Sequence, residues 1–259
     1  MIFHQPLNSK GGYSFNAMRY TDTRYDLHFH KNLELIVVLR GGLLCTVNRK
    51  EYRLSEGEMG LCLPYDIHSF TPLDDSEFWV LVFSEDYVRL FSRDIAGKRA
   101  EGFVFKPSEE VSSYLKKRLI DNPAPTVYTL KSCLYGVVEE YESRVRLTDK
   151  GVKDRGVEEI VSYIEKNHRG ELTLSDLSAA LGYDYNYTSR YFHRIFNMSF
   201  SDFLNVYRME TALRLLEDTA MPVTEIAYES GFSSIRNFNS VFKSRMNISP
   251  SAYRSRLKT

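Results

Sequence analysis

Cysteine is scarce in this chain: Cys45, Cys62 and Cys133 are the three among 259 residues. An odd number of thiols set far apart excludes a disulfide framework and fits reduced cysteines in a cytosolic protein. Long apolar runs are missing too, none approaching the ~20 residues of a membrane span. The opening Met1-Ile-Phe-His-Gln-Pro lacks the basic start and apolar stretch of a secretion signal. A cytoplasmic protein with no membrane partner is therefore expected. An excess of either charge is also absent, 34 Lys+Arg balancing 34 Asp+Glu for a net charge of +0. That excludes a strongly basic, indiscriminate nucleic-acid binder, but not one whose basic residues are gathered in one segment. What is present, 43% hydrophobic and 26% charged residues, suffices for a packed core and excludes wholesale disorder.

The chain changes character along its length. Up to about Phe105 short apolar runs alternate with Gly, Pro, Asn and Asp: Leu35 to Leu39, Leu43 to Val47, Tyr52 to Leu54, Met59 to Leu63 and Phe78 to Phe83. This is the pattern of a sandwich or small barrel. Helical periodicity follows over Glu109 to Ile120 and Thr126 to Arg146, interrupted by Pro123 and Pro125. On the second segment Leu130, Leu134, Val137, Val138 and Tyr141 share a face, which either packs on its own domain or holds a dimer. The polar stretch Thr148 to Gly156 reads as a linker, and everything after it as helix.

The helical half repeats itself. Leu174 to Tyr183 aligns with Val223 to Phe232 at an offset of 49. Each copy starts with a hydroxyl and an acid (Ser175-Asp176, Thr224-Glu225), suited to a helix start, and ends in a glycine (Gly182, Gly231) suited to a tight turn. A second helix follows in each copy, Asn186 to Phe196 and Ile235 to Met246. Asn197 and Asn247 stand where the left-handed conformation ends a helix. Helix, glycine turn, helix is a helix-turn-helix, here present twice. Between the copies Phe200 to Glu217 reads as one helix of ~27 Å, a length able to set two recognition helices in neighbouring major grooves ~34 Å apart.

These residues resemble the double helix-turn-helix domain of AraC/XylS-type transcription regulators across Leu172 to Arg254. The resemblance is carried by Leu177-x4-Gly182-Tyr183, Tyr191-Phe192, Ser199-Phe200-x2-Phe203, Arg208-x3-Ala212-x2-Leu215-Leu216, Ile226-Ala227-x3-Gly231-Phe232, Phe238-x3-Phe242-Lys243 and Ser249-Pro250-x2-Tyr253-Arg254. Departures are Asn197 and Asn247 for the usual glycine, Thr188 for leucine and Ser240 for arginine. The resemblance implies base-facing positions at Asn186, Ser189 and Arg190 in the first recognition helix. In the second it implies Ile235, Arg236, Asn237 and Ser240. Arg can grip guanine and Asn adenine, each with ~1–3 kcal/mol of discrimination. Lys243, Arg245, Arg254 and Arg256 are candidate phosphate contacts, or simply solvated. Phe192, Phe232, Phe238 and Phe242 are assigned to the core. From Asn186 onward ten basic residues face six acidic ones, so a modest positive excess sits where the recognition helices lie. Salt-sensitive binding that leans on base contacts and a second subunit is expected.

In the β half, His28-Phe-His30-x3-Glu34-x6-Gly41 followed by Pro64-x3-His68 resembles the two signature segments of cupin barrels. His28 and His30 share a strand face, and Glu34 and His68 can complete a three-His, one-carboxylate set for Fe, Mn, Ni or Zn. The alternative, histidines hydrogen-bonded in a barrel mouth, is the favoured one, with no metal and no cofactor. Either way they mark the concave end where small barrels take ligands. Tyr20, Arg24, His28, His30, Glu34 and His68 are the effector-site candidates, with Trp79 either beside them or in the core.

The expected fold class is α+β: a cupin-like β-barrel with a two-helix extension and an all-α double helix-turn-helix domain. The divisions are 1–106 for effector binding, 107–149 for dimerisation, 150–156 for a linker and 157–259 for DNA binding. The expected protein is a non-enzymatic, sequence-specific regulator controlled by a small effector such as a sugar. Its expected partners are double-stranded DNA, that effector, a second copy of the chain and RNA polymerase. The rival reading is a metal-dependent cupin oxygenase or isomerase with an appended DNA-binding domain.

Overall fold

The computed structural model describes residues 3–4 (backbone only), 13–73, 75–151, 156–196 and 198–257. The chain divides into two compact units, Met1–Arg155 and Gly156–Thr259.

In the first unit the strands are β1 (Phe3–His4), β2 (Phe15–Thr21), β3 (Tyr25–Phe29), β4 (Leu33–Arg40), β5 (Gly42–Val47), β6 (Lys50–Ser55), β7 (Met59–Cys62), β8 (His68–Pro72), β9 (Glu77–Phe83), β10 (Lys98–Ala100), β11 (Val104–Phe105) and β12 (Leu147–Asp149). The helices are α1 (Arg89–Ile95), α2 (Glu109–Leu115), which runs into a π turn over Lys116–Ile120, and α3 (Val127–Arg144). Two five-stranded sheets form the barrel, ordered β1-β3-β8-β5-β6 and β11-β7-β4-β9-β2, while β10 pairs with β12. Apart from the parallel β1–β3 pair, the pairings are antiparallel.

Strand parity explains why β4 and β9 read as unbroken apolar runs: both of their faces are buried. Ile36, Val38, Phe78, Val80 and Val82 point inward and meet Leu43, Cys45, Leu54 and Phe70 of the opposite sheet. Leu33, Leu35, Val37, Trp79, Leu81 and Phe83 point outward, onto a helical layer supplied by Phe91, Leu115, Leu130, Leu134, Val137, Val138 and Tyr141. The apolar stripe of α3 is thus spent on its own unit, so it is not free to hold a second subunit. Gly60 on β7 carries the ring of Phe103, which a Cβ there would strike. All three cysteines are buried free thiols.

Several elements depart from the sequence expectation. Strands β2 and β8, helix α1 and the β10–β12 pair are additional. Thr148 and Asp149, expected in the linker, pair with Arg99 and Lys98. Residues 152–155 of that linker lie outside the described residues.

The second unit contains α4 (Gly156–Asn167), α5 (Leu174–Leu181), α6 (Tyr185–Phe196), α7 (Phe200–Asp218), α8 (Val223–Glu229), α9 (Ile235–Met246) and α10 (Pro250–Leu257). Helices α5–α6 and α8–α9 are the two helix-turn-helix pairs, with Gly182 and Gly231 at φ +70° and +91° in their turns. The caps differ from expectation. Helix α5 is capped by Thr173, whose side chain and that of Asp176 bond each other's backbone N–H, and α8 begins behind Pro222 with no side-chain cap. Ser175 and Thr224 fall inside the first turns. Asn247 ends α9 at φ +58° as expected, while Asn197 lies outside the described residues. Phe192, Phe232, Phe238 and Phe242 are all buried. On α7, Arg208 donates to the carbonyls of His168 (2.9 Å) and Gly170 (3.0 Å), bracing the turn after α4.

Candidate functional site

In the barrel, His28 on β3 and His68 on β8 are direct cross-strand partners, and Glu34 enters from β4 on the same inward face as Ile36 and Val38. His30 follows β3 immediately. All four are buried, and one ligand atom from each lies within 4.8 Å of the others. Nδ1 of His28, His30 and His68 lies 2.8, 2.9 and 2.7 Å from the carbonyl oxygens of Asp26, Asn32 and Asp66. On the inner side His30 Nε2 is 2.8 Å from Glu34 Oε2, and His68 Nε2 is 3.6 Å from the same oxygen.

The electrostatics follow from burial and mutual charge. Burial alone would raise the Glu34 carboxyl, but the imidazoles of His68 and His30 outweigh it and hold it well below the usual range. Burial alone would lower His68, yet the Glu34 charge lifts it above the ordinary histidine value. At His28 burial prevails, helped by the positive charge of His68, and the value falls to about 3.

A cavity of about 210 Å³ opens beside this cluster, lined by Asn16, Met18, Tyr20, Tyr25, His28, Glu34, Phe70, Val80 and Val82. The rings of Tyr20 and Tyr25 meet edge-on at 5.1 Å, and burial with the Tyr25 hydrogen bond pushes the Tyr20 phenol above its ordinary value. Of the sequence candidates, Tyr20, His28 and Glu34 line the cavity, with His30 and His68 adjoining it in the cluster. Two do not belong. Arg24 is exposed and pairs with Asp26 at 3.3 Å, and Trp79 points by strand parity into the helical layer on the other side of its sheet. Asn16, Met18, Tyr25, Phe70, Val80 and Val82 were missed. The alternation Asn16, Met18, Tyr20 was the available signal, on a strand too exposed to stand out.

The helical unit presents two surfaces of a different kind. On α6 Asn186 and Arg190 are exposed and Ser189 is half-buried; on α9 Arg236, Asn237, Ser240 and Lys243 are exposed. Ile235 is half-buried against the core of its own pair, which limits its reach. Two of the candidate phosphate contacts also brace their own unit: Arg245 donates to the Asp202 carbonyl at 3.2 Å, and Arg254 donates to that of Met221. Exposed tyrosines on α6, Tyr185 and Tyr187, were not anticipated; Tyr187 stacks on Tyr191 with ring centroids 5.9 Å apart.

A β-barrel with a cavity in the first unit and two glycine-turned helix pairs in the second are the parts of one class of protein, the transcription regulator with a ligand-binding domain. Comparison with known proteins agrees. Residues 14–144 match the AraC-like ligand binding domain and residues 177–256 a helix-turn-helix domain. The chain belongs to the AraC family of helix-turn-helix transcription regulators. Among its relatives is the uncharacterized HTH-type transcriptional regulator YdeC of Bacillus subtilis (strain 168), 20% identical over 88% of this chain and 85% of the relative. The uncharacterized HTH-type regulator YtdP of the same strain is 27% identical over 61% of this chain but only 18% of its own length. In fold the chain is similar to ToxT from Vibrio cholerae. One ToxT structure aligns over 93% of this chain and 98% of its own at 17% identity and TM-score 0.52. Another, bound to an unsaturated fatty acid, aligns over 95% and 96% at 16% and TM-score 0.54. Among the described residues no helix is long and apolar enough to cross a membrane.

Proposed function

We propose that α6 and α9 enter successive major grooves of double-stranded DNA and that Arg190 and Arg236 each read a base there. The carrying observation is their placement: both arginines are exposed on second helices of like-built pairs, joined by a 19-residue α7 that spans ~28 Å. Asn186, Asn237 and Ser240 add polar edges beside them, and Lys243 a phosphate contact. Selection of bound sequences from a random DNA pool, followed by footprinting, tests this. Arg190→Ala and Arg236→Ala should relax preference at separate positions about one helical turn apart, and unchanged footprints for both would sink the assignment.

The barrel cavity is the effector site in this reading. Met18, Phe70, Val80 and Val82 give it apolar walls, while Tyr20, Tyr25, Asn16, His28 and Glu34 supply polar groups. That lining suits a small molecule with an apolar body and a polar head better than a sugar, whose hydroxyls would face hydrocarbon. The effector acts by binding one arrangement of the two units more tightly than another, which requires a difference in affinity between them. A second copy of the chain is expected to dock on the outward face of α2 and α3, where Tyr114 and Tyr128 are exposed. Sedimentation of the wild type against Tyr128→Glu tests that contact. Family membership supports a regulator over the rival metal-dependent enzyme.

A further inference from the structure

The barrel cavity is graded from mouth to floor, and strand pairing sets the grading. On the inner face of one sheet Glu34 of β4, Val82 of β9 and Asn16 of β2 form one cross-strand row, with Ile36, Val80 and Met18 in the next. Because β2 is the edge strand Met18 is 47% exposed, whereas Glu34, two strands further in, is 2% exposed. On the other sheet His28 is 3% exposed, and Tyr25 and Phe70 pair beside it. Val80, Val82, Phe70 and Tyr25 make the walls apolar or aromatic, so Glu34 and His28 are the polar groups that an occupant meets at the buried end.

Both of these groups accept hydrogen bonds. His28 gives its Nδ1 proton to the Asp26 carbonyl at 2.8 Å, and burial keeps the ring from taking up a second proton, so Nε2 carries a lone pair. Glu34 takes a hydrogen bond from His30 on Oε2 and faces the charged His68, yet a carboxylate can accept about four such bonds. His68 balances the Glu34 charge, so the direction of the hydrogen bonds, rather than net charge, selects the head of the occupant. A ring nitrogen of His28 and an oxygen of Glu34 lie within 4.8 Å of each other. One tetrahedral nitrogen donating to two acceptors at ~2.9 Å holds them ~4.7 Å apart.

We propose that the cavity binds a small primary amine on an apolar body, its nitrogen donating at once to His28 and to Glu34. This names the class of effector and rests on the cavity being the effector site. A hydroxyl has one proton and leaves one of the two acceptors unmet. A carboxylate has none, and it would set a second anion beside Glu34. The rings of Tyr25 and Phe70 add to the preference, since an ammonium group is drawn to an aromatic face.

The test is isothermal titration of the full chain with hexylamine and 2-phenylethylamine and, for each, the alcohol and the carboxylate of matched body. The amines should bind one per chain, the alcohols roughly fivefold or more weaker, and the carboxylates weaker again. That order is read on the wild type and needs no variant. Met18→Trp, at the exposed mouth, should weaken every head alike. His28→Phe and Glu34→Gln should each shrink the lead of the amine over the alcohol, with thermal melts to show that the fold persists. Arg190→Ala should bind the amines like the wild type. Alcohols or carboxylates that bind as tightly as the amines overturn this inference and leave the cavity standing as the effector site. Amine binding untouched by Met18→Trp overturns it as well, and failure of all six compounds to bind counts against both readings.

Discussion

The two helix-turn-helix pairs share a motif but are held in place by different means. The first secures its entry: Thr173 and Asp176 cap α5 reciprocally, and its turn glycine, Gly182, has open space where a side chain would go. The second has no side-chain cap behind Pro222, but its turn is clamped: a Cβ on Gly231 would collide with the His168 carbonyl and lie 2.8 Å from Arg169 Cα. Identical sequence signatures can thus answer different constraints, backbone conformation at Gly182 and conformation plus close approach at Gly231.

The largest expected effect breaks that comparison at the glycines. Gly182→Ala should cost ~1–2 kcal/mol, the penalty for a side chain at positive φ. Gly231→Ala adds overpacking against immovable backbone, a further ~1–3 kcal/mol. Urea denaturation of the full chain followed by circular dichroism would show it, and equal losses at the two sites would refute the distinction. Next come the recognition arginines: Arg190→Ala and Arg236→Ala should each remove ~1–3 kcal/mol of base discrimination, read from competition binding with single-base operator variants.

At the caps the first pair has something to lose. Thr173→Ala should destabilise by ~1 kcal/mol in the same urea assay. This difference should depend on pH. Hydrogen bonds from Thr173 hold the Asp176 carboxyl below its ordinary value. A depressed folded value means the stabilisation is complete above the unfolded value of ~3.9 and is lost as pH falls through the folded one. The gap between wild type and Thr173→Ala should therefore narrow in acid without closing, since the bond from the Asp176 backbone N–H to Thr173 Oγ1 does not titrate, and a gap unchanged by pH argues against the contribution of the Asp176 carboxylate to the cap. The smallest effect belongs to Lys243→Ala, which should weaken binding about evenly across sequences and lower the salt slope by ~1.

The helical unit was the more legible of the two. Its glycine turns, the limits of α9 and its buried phenylalanines follow from spacing, because each helix must bury one stripe in a small core. The carbonyl bonds of Arg245 and Arg254 went unread for a plain reason: a basic residue late in a helix looks the same whether it reaches a phosphate or a carbonyl of its own chain. In the barrel, β4 and β9 were legible as apolar runs, but which residues faced the cavity depended on parity, and Trp79 and Val80 lie on opposite sides of one strand. Strand β2 sits at a sheet edge and mixes apolar with polar residues on both faces, so the wall formed by Asn16, Met18 and Tyr20 left only a weak trace. The convergence of His28, His30, Glu34 and His68 was anticipated. The backbone carbonyls behind the rings were not, since no side chain encodes them.

The turn at 168–170 is gripped twice, by Arg208 from α7 and by Gly231 from the second helix pair. For anyone grafting new DNA specificity onto this scaffold, that sets the minimum transplant. Exposed positions of α9 can be exchanged singly, but a borrowed α8–α9 module must arrive with a matching loop after α4 and its arginine anchor.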